Sequence, residues 1–332
     1  MQSKQLASLP MAFTWADLVD ALAEERGSLA ELARSLTEVA PASAGLSLDP
    51  LTVERGLRRL RKRGNAEGDK YGRLLLRLFG VPGALETWAR WMGQYHSRLS
   101  DLPTAMRRDQ LRLWDRPPIS ESTVSIWVHI GLAGLANRER EVEALERRLA
   151  LARLLAKRAP SAARLELALF EAALAVDAGE REAAAGLLEA AAGLLDDAAL
   201  DGDERACYFA RIQDQRAYRV ARGWREERWR LGEALELYAA IPEAGPAFVR
   251  FRRAHGVAWC RWRMGEVEAA RAAVERAVAA AGDGGLRRPR CMALTLRGLI
   301  SGEPGDLERA LRIAEEVGDE RLVERVRRYS SG

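Results

Sequence analysis

Lysine, histidine and cysteine are all scarce in this 332-residue chain. The three cysteines, Cys207, Cys260 and Cys291, lie far apart and form no C-x-x-C pair. That spacing excludes a disulfide framework and a thiolate zinc site, and reads as buried small hydrophobes. The three histidines, His96, His129 and His255, lack the H-x-x-x-H spacing of a helical zinc site. No run approaches the roughly 18 uncharged apolar residues of a membrane span. Met1 to Phe13 lacks an apolar stretch behind a basic one, so no secretory signal is expected, and the cytoplasm is the expected location. There is no Walker loop and no strand–G-x-G-x-x-G–helix context. The acidic stretch Asp196 to Glu204 has Ala199 and Tyr208 at two ligand positions of a calcium loop, so it reads as a capping turn. The expectation is a protein that is not an enzyme and has no cofactor or metal.

Lys and Arg together number 52 against 48 Asp and Glu, a net charge of +4. A balance that close excludes a dedicated polyanion binder of the histone kind. With 48% hydrophobic and 30% charged residues, the chain can build a core. Only Lys4, Lys62, Lys70 and Lys157 are lysines, so arginine supplies nearly all the positive charge. Alanine is abundant too. Both fit the codon usage of a GC-rich, bacterial-type genome, so arginine richness by itself says nothing about nucleic acid.

Helix formers dominate and no alternating strand stands out, so the fold class is all-α. Thr14, Ser28 and Asp49-Pro50 each open a helix as N-cap, with Gly27 and Gly64 as stops. The loop Pro41–Leu48 lies between the second and third helices. Residues 1–81 form a basic helical domain in this reading, and 82–118 form a connector carrying Trp88, Trp91 and Trp114. Tryptophans at that density are packing residues first and a docking surface second. From 119 to 332 the chain reads as antiparallel helix pairs, broken near Asn137, Pro160, Gly179, Gly202, Gly223, Pro242, Gly265, Gly284, Gly305 and Gly318.

An internal repeat supports that reading. Ala168, Ala172, Ala175, Gly179, Ala184, Leu188 and Ala191 recur at the same offsets as Ala254, Ala258, Arg261, Gly265, Ala270, Val274 and Ala277. A third block, Leu294, Gly298, Gly305, Ala310, Ala314 and Val317, matches in part. Small residues in mid-helix let two helices approach, and a glycine between them allows a tight turn. The pattern resembles the tetratricopeptide repeat, in a long-helix variant: Gly179 and Gly265 are 86 residues apart, longer than two regular repeats. The resemblance implies a solenoid with a concave groove that binds another protein or a peptide. Its groove positions fall on Arg252, His255, Trp259, Trp262 and Arg263, a basic and aromatic set suited to an acidic peptide tail. The same positions in the first block, Glu166, Leu169, Ala173, Val176 and Asp177, look inert.

The third helix is polarised. Val53, Leu57 and Leu60 share one face, and Arg55, Arg58, Arg59 and Lys62 fall opposite. Between Thr52 and Arg77 the net charge is +6, more than that of the whole chain. The succession Ser28–Leu36 then Asp49–Arg63 resembles a helix-turn-helix or winged helix with an arginine-rich second helix. Two features depart from that family: Thr37 to Leu48 is a long connection, and no strand residues follow for a wing. The leading expectation is a non-enzymatic adaptor that binds a protein or peptide through the repeat groove. The alternative is a transcription regulator that contacts double-stranded DNA through Arg55, Arg58, Arg59 and Lys62, with the array as sensor. A scaffold assembling through the tryptophan-rich segment is a third.

Overall fold

The computed structural model describes residues 13–40, 49–222, 227 and 229–330. The expected loop Pro41–Leu48 and the break at Gly223 lie outside them. The described residues form seventeen α-helices, two short 3-10 turns and no strand. None of the helices is long and apolar enough to cross a membrane. The chain divides into two compact units. The first comprises the described parts of Met1–Gly93, together with Met106–Leu132 and Arg148–Ala159; the second comprises Gln94–Ala105, Ala133–Arg147 and the described parts of Pro160–Gly332.

Three helices start the first unit: α1 (Trp15–Glu25), α2 (Leu29–Val39) and α3 (Pro50–Arg61), followed by α4 (Lys70–Leu78). Their starts are chemically marked. Thr14 and Asp17 form a reciprocal capping box on α1. The Ser28 hydroxyl accepts from the Glu31 N–H, and Asp49 accepts from the Leu51 and Thr52 N–H groups ahead of Pro50. The three helices pack on one another pairwise. Trp15, Leu18, Leu22, Leu32, Leu36, Val53, Leu57 and Leu60 are all buried at their centre. The Trp15 indole N–H donates to the Ala66 carbonyl at 2.9 Å, so its polar edge is satisfied. α5 (Gly83–Gly93) belongs to this unit as well, whereas α6 (Thr104–Trp114), α7 (Ser125–Glu139) and α8 (Val142–Ala156) each have residues in both units. Trp114 is fully buried against Phe13, and Trp88 and Trp91 pack edge-on at 5.3 Å.

The second unit is dominated by consecutive helices: α9 (Ser161–Ala178), α10 (Arg181–Asp197), α11 (Gly202–Ala221), α12 (Arg230–Ala239), α13 (Ala247–Met264), α14 (Val267–Asp283), α15 (Arg287–Ser301), α16 (Pro304–Val317) and α17 (Glu320–Ser330). Each packs on its successor, and α9, α11, α13 and α15 also meet in sequence. The core is a string of small clusters, each spanning neighbouring helices. Phe251 and Ala254 of α13 meet Ala277 and Ala280 of α14, whereas Ala258 further along meets Ala270 and Val274. That inverse order makes α13 and α14 antiparallel.

The repeat positions are the crossing points. Ala172, Ala184 and Ala191 are fully buried, as are Ala258, Ala270 and Ala277, and Ala310, Ala314 and Val317. Gly179 and Gly265 have φ of +85° and +90° and close α9 and α13 with the same pair of bonds. In both, the residue after the glycine donates five residues back, Glu180 to Ala175 and Glu266 to Arg261, at 2.9 Å.

Two expected breaks shift. The third block turns at Gly302 (φ +75°), and Gly305 lies inside α16. The helix before it is shorter than its counterparts, so the matching offset falls past the turn. The break expected at Asn137 falls at Arg140, a non-glycine residue at φ +60°, where Glu141 donates back to Ala136. Gly202 is the first residue of α11, capped by Asp201, whose carboxylate accepts from the Glu204 N–H at 2.7 Å. The acidic stretch there is thus a capping turn.

Gly256 tests the close packing. A Cβ there would lie 2.1 Å from the Tyr238 ring, whereas one at exposed Gly193 in α10 meets nothing within 4 Å. Gly256→Ala should therefore destabilise by about 1–3 kcal/mol. Gly193→Ala should stabilise by about 0.5–1 kcal/mol. Chemical denaturation of both variants checks the contrast.

Candidate functional site

The first unit presents the polarised third helix. Val53, Gly56, Leu57 and Leu60 turn inward, and the Tyr71 ring of α4 occupies the space a Cβ at Gly56 would need. The opposite face carries Arg55, Arg58, Arg59 and Lys62, all exposed. Arg58 donates to Glu54 at 2.6 Å along the helix, and Arg61 reaches Asp20 of α1 at 3.0 Å. The Asp49 carboxyl, at the start of α3, is held below the usual carboxylate range by the Thr52 hydroxyl and the Leu51 N–H, with Arg55 adding to the effect. It stays an ionised cap. Cationic side chains in the last turn of α3 also suit the negative end of its dipole. Residues 62–69, which follow, form no strand.

The second unit contains a network of buried charges. The segment 94–105 lies on α9, α11, α13 and α15. Its Tyr95 N–H donates to Glu166 of α9 at 3.2 Å, and Glu166 pairs with Arg211 of α11 at 2.5 Å. The His96 ring stands edge-on to Tyr208 at 4.7 Å. Arg252 of α13 donates to the Tyr95 hydroxyl at 2.8 Å and pairs with Asp214 of α11 at 3.0 Å. Further along, the Arg288 N–H of α15 donates to Asp101 at 2.9 Å. The Arg288 side chain reaches the Ser100 carbonyl at 2.6 Å and Asp319 at 3.0 Å. Burial opposes the charge on Arg252, but Asp214 and Tyr95 overcompensate and hold its pKa above the ordinary arginine value. Burial raises the Asp214 carboxyl, and Arg252 works against that rise.

The five groove positions expected on α13 separate into two groups. Arg252 is buried and its guanidinium is taken up by Asp214 and Tyr95. His255 is half-buried against Phe251, its ring hydrogen-bonded to the Met292 backbone. Burial and the neighbouring Arg252 charge push its pKa down to about 3, so it is neutral at physiological pH and offers no cation. Trp259 packs partly into the core between α13 and its neighbours. Trp262 is half-buried, with the Arg263 guanidinium 4.0 Å over its ring. Glu166, which looks inert in the sequence, is 1% exposed and anchors the network. Its signal was only a carboxylate on an otherwise apolar helix face. Nothing local pairs it with Arg211, 45 residues on.

Among the described residues, no group of three His, Cys, Asp or Glu side chains is placed to hold a metal ion. The three thiols are buried, and burial raises each to a pKa of about 12. No protein-family model, curated protein or solved structure matches the chain.

The histidine makes a pH prediction. His255 is depressed in the folded state, so the unfolded chain binds more protons between about pH 6.5, the ordinary histidine value, and about pH 3. Stability conferred by neutral His255 is full above that window and is lost as pH falls through it. His255→Gln should flatten the acid side of the stability–pH curve. Denaturant midpoints at neutral and mildly acidic pH report this; an unchanged slope contradicts it.

Proposed function

We propose that this chain is a non-catalytic DNA-binding regulator of helix-turn-helix type whose helical array, of tetratricopeptide kind, serves as its sensing part. One observation carries the reading: α3 exposes Arg55, Arg58, Arg59 and Lys62 together, while its other face is fixed in a three-helix core. A helix held that way lies along the major groove with its cations outward. Arginine forks then reach phosphate oxygens and the N7 and O6 acceptors of guanine. The local charge of +6 supplies steering that the whole chain, at +4, does not. The groove reading drops to second place because Arg252, its best cation, is engaged internally and His255 is uncharged.

Anisotropy of a labelled random duplex tests the proposal on the full chain, at low and near-physiological salt. Saturable binding that weakens steeply with salt is expected. Arg55→Glu with Arg59→Glu should cost at least about tenfold and reduce the salt slope by about 0.9 for each phosphate that is no longer neutralised. Affinity that is undetectable at low salt, or unchanged in the double variant, overturns it.

The second reading, an adaptor for an acidic peptide, is favoured by the half-buried Trp262 with Arg263 stacked on it. An aromatic face backed by a guanidinium suits a peptide carboxylate beside an apolar side chain. Binding of immobilised acidic C-terminal peptides should fall in Trp262→Ala and Arg263→Ala if this surface is used. Equal binding by wild type and both variants contradicts it.

A further inference from the structure

The second unit contains a cavity of about 240 Å³. Val176, Gly179, Arg181, Arg219 and Arg222 line it. Val176 and Gly179 come from the end of α9 and its left-handed turn, and Arg181 is the first residue of α10. Arg219 lies in the last turn of α11 and Arg222 is its C-cap. Val176 is the counterpart of Trp262 at the 86-residue offset, so a smaller side chain stands here than in the other copy.

The charge at this cavity is one-sided. Among the described residues, three guanidinium groups line it and no carboxylate does. No ion pair joins Arg181, Arg219 or Arg222 to another described residue. The four other arginines on these helices all have partners: Arg211 pairs with Glu166 and Arg216 with Glu189, Arg164 donates to the Ser161 hydroxyl and Arg205 to the Leu195 and Ala198 carbonyls. The Nε of Arg219 is buried and has no hydrogen-bond acceptor among the described residues. A buried N–H is ordinarily paired, by protein or by something bound. Like charges converging without a counter-charge repel one another, and an anion bound among them removes that cost.

We propose that this cavity is a binding site for the phosphoryl group of a small phosphomonoester. A phosphoryl group offers up to two negative charges and three acceptor oxygens, matching several guanidinium forks better than a single carboxylate does. The cavity is smaller than the roughly 300–1,000 Å³ of sites for drug-sized ligands. It therefore holds the phosphoryl group with a short organic remainder, not a whole nucleotide. Arg219, at the buried side, fixes one oxygen through Nε, while exposed Arg181 and Arg222 close on the others. This site is independent of the DNA reading, and its occupancy is measured without DNA.

Titration calorimetry of glycerol phosphate into the full chain tests it. One saturable site at millimolar ligand or below is expected. Arg219→Gln and Arg222→Gln should each weaken binding at least about tenfold, the loss of a charge-assisted hydrogen bond. Arg271→Gln, on the exposed face of α14, should leave it unchanged. Binding should also weaken below about pH 6, where the phosphomonoester loses its second charge. Circular dichroism confirms that the variants are folded, and Arg222, exposed at the helix end, keeps the test open should Arg219→Gln unfold. No saturable binding by the wild type overturns the proposal, as does undiminished affinity in folded Arg222→Gln.

Discussion

Helix backbones approach closely in the second unit because alanine or glycine occupies the crossing points. Ala172, Ala258 and Gly298 stand at equivalent places in α9, α13 and α15. Small side chains there let the partner helix come near, and backbone and Cβ atoms supply the contact. Each alanine removes little apolar area from water, so no single crossing is strong. The stabilisation is collected over many crossings. This is why the core is a chain of clusters linking neighbouring helices, and why the unit is long in sequence. The same crowding fixes Gly256 against Tyr238.

Crossings made of alanine leave room between helices for long polar side chains, and the second unit fills it with arginine. Burying a guanidinium is costly unless a carboxylate and hydrogen-bond acceptors meet it. Arg211, Arg252 and Arg288 each meet that condition, through Glu166, Asp214 and Asp319. Residues 94–105 complete the arrangement with the Tyr95 hydroxyl, the Ser100 carbonyl and the Asp101 carboxylate. Removing one member leaves another buried charge unmatched, so these pairs specify which helices meet. Arg181, Arg219 and Arg222 have no such carboxylate partner among the described residues.

The first unit solves the opposite problem. Large side chains, with Trp15 and several leucines, form its centre, so few helices suffice. Packing there consumes one face of α3 and leaves the arginines of the other to solvent. Cations held on a rigid helix are better preorganised for a polyanion than cations on a loop.

Local chemistry was legible in the sequence. Caps at Thr14, Ser28 and Asp49, turns at Gly179 and Gly265, and the two faces of α3 depend on residues within a few positions of one another. The amino-acid order alone therefore determines them, along with the all-α class. The offsets of the repeat located the crossing points, because a helix pair is nearly local as well. Arg140 escaped because a non-glycine residue adopts the left-handed conformation there, and no residue type announces that. The tertiary structure decided the rest. Glu166 with Arg211, Arg252 with Asp214 and Tyr95, and the arginines gathered around Val176 are relations between distant positions. Whether a charge points to water or to a partner depends on which helices meet, and only the folded chain sets that.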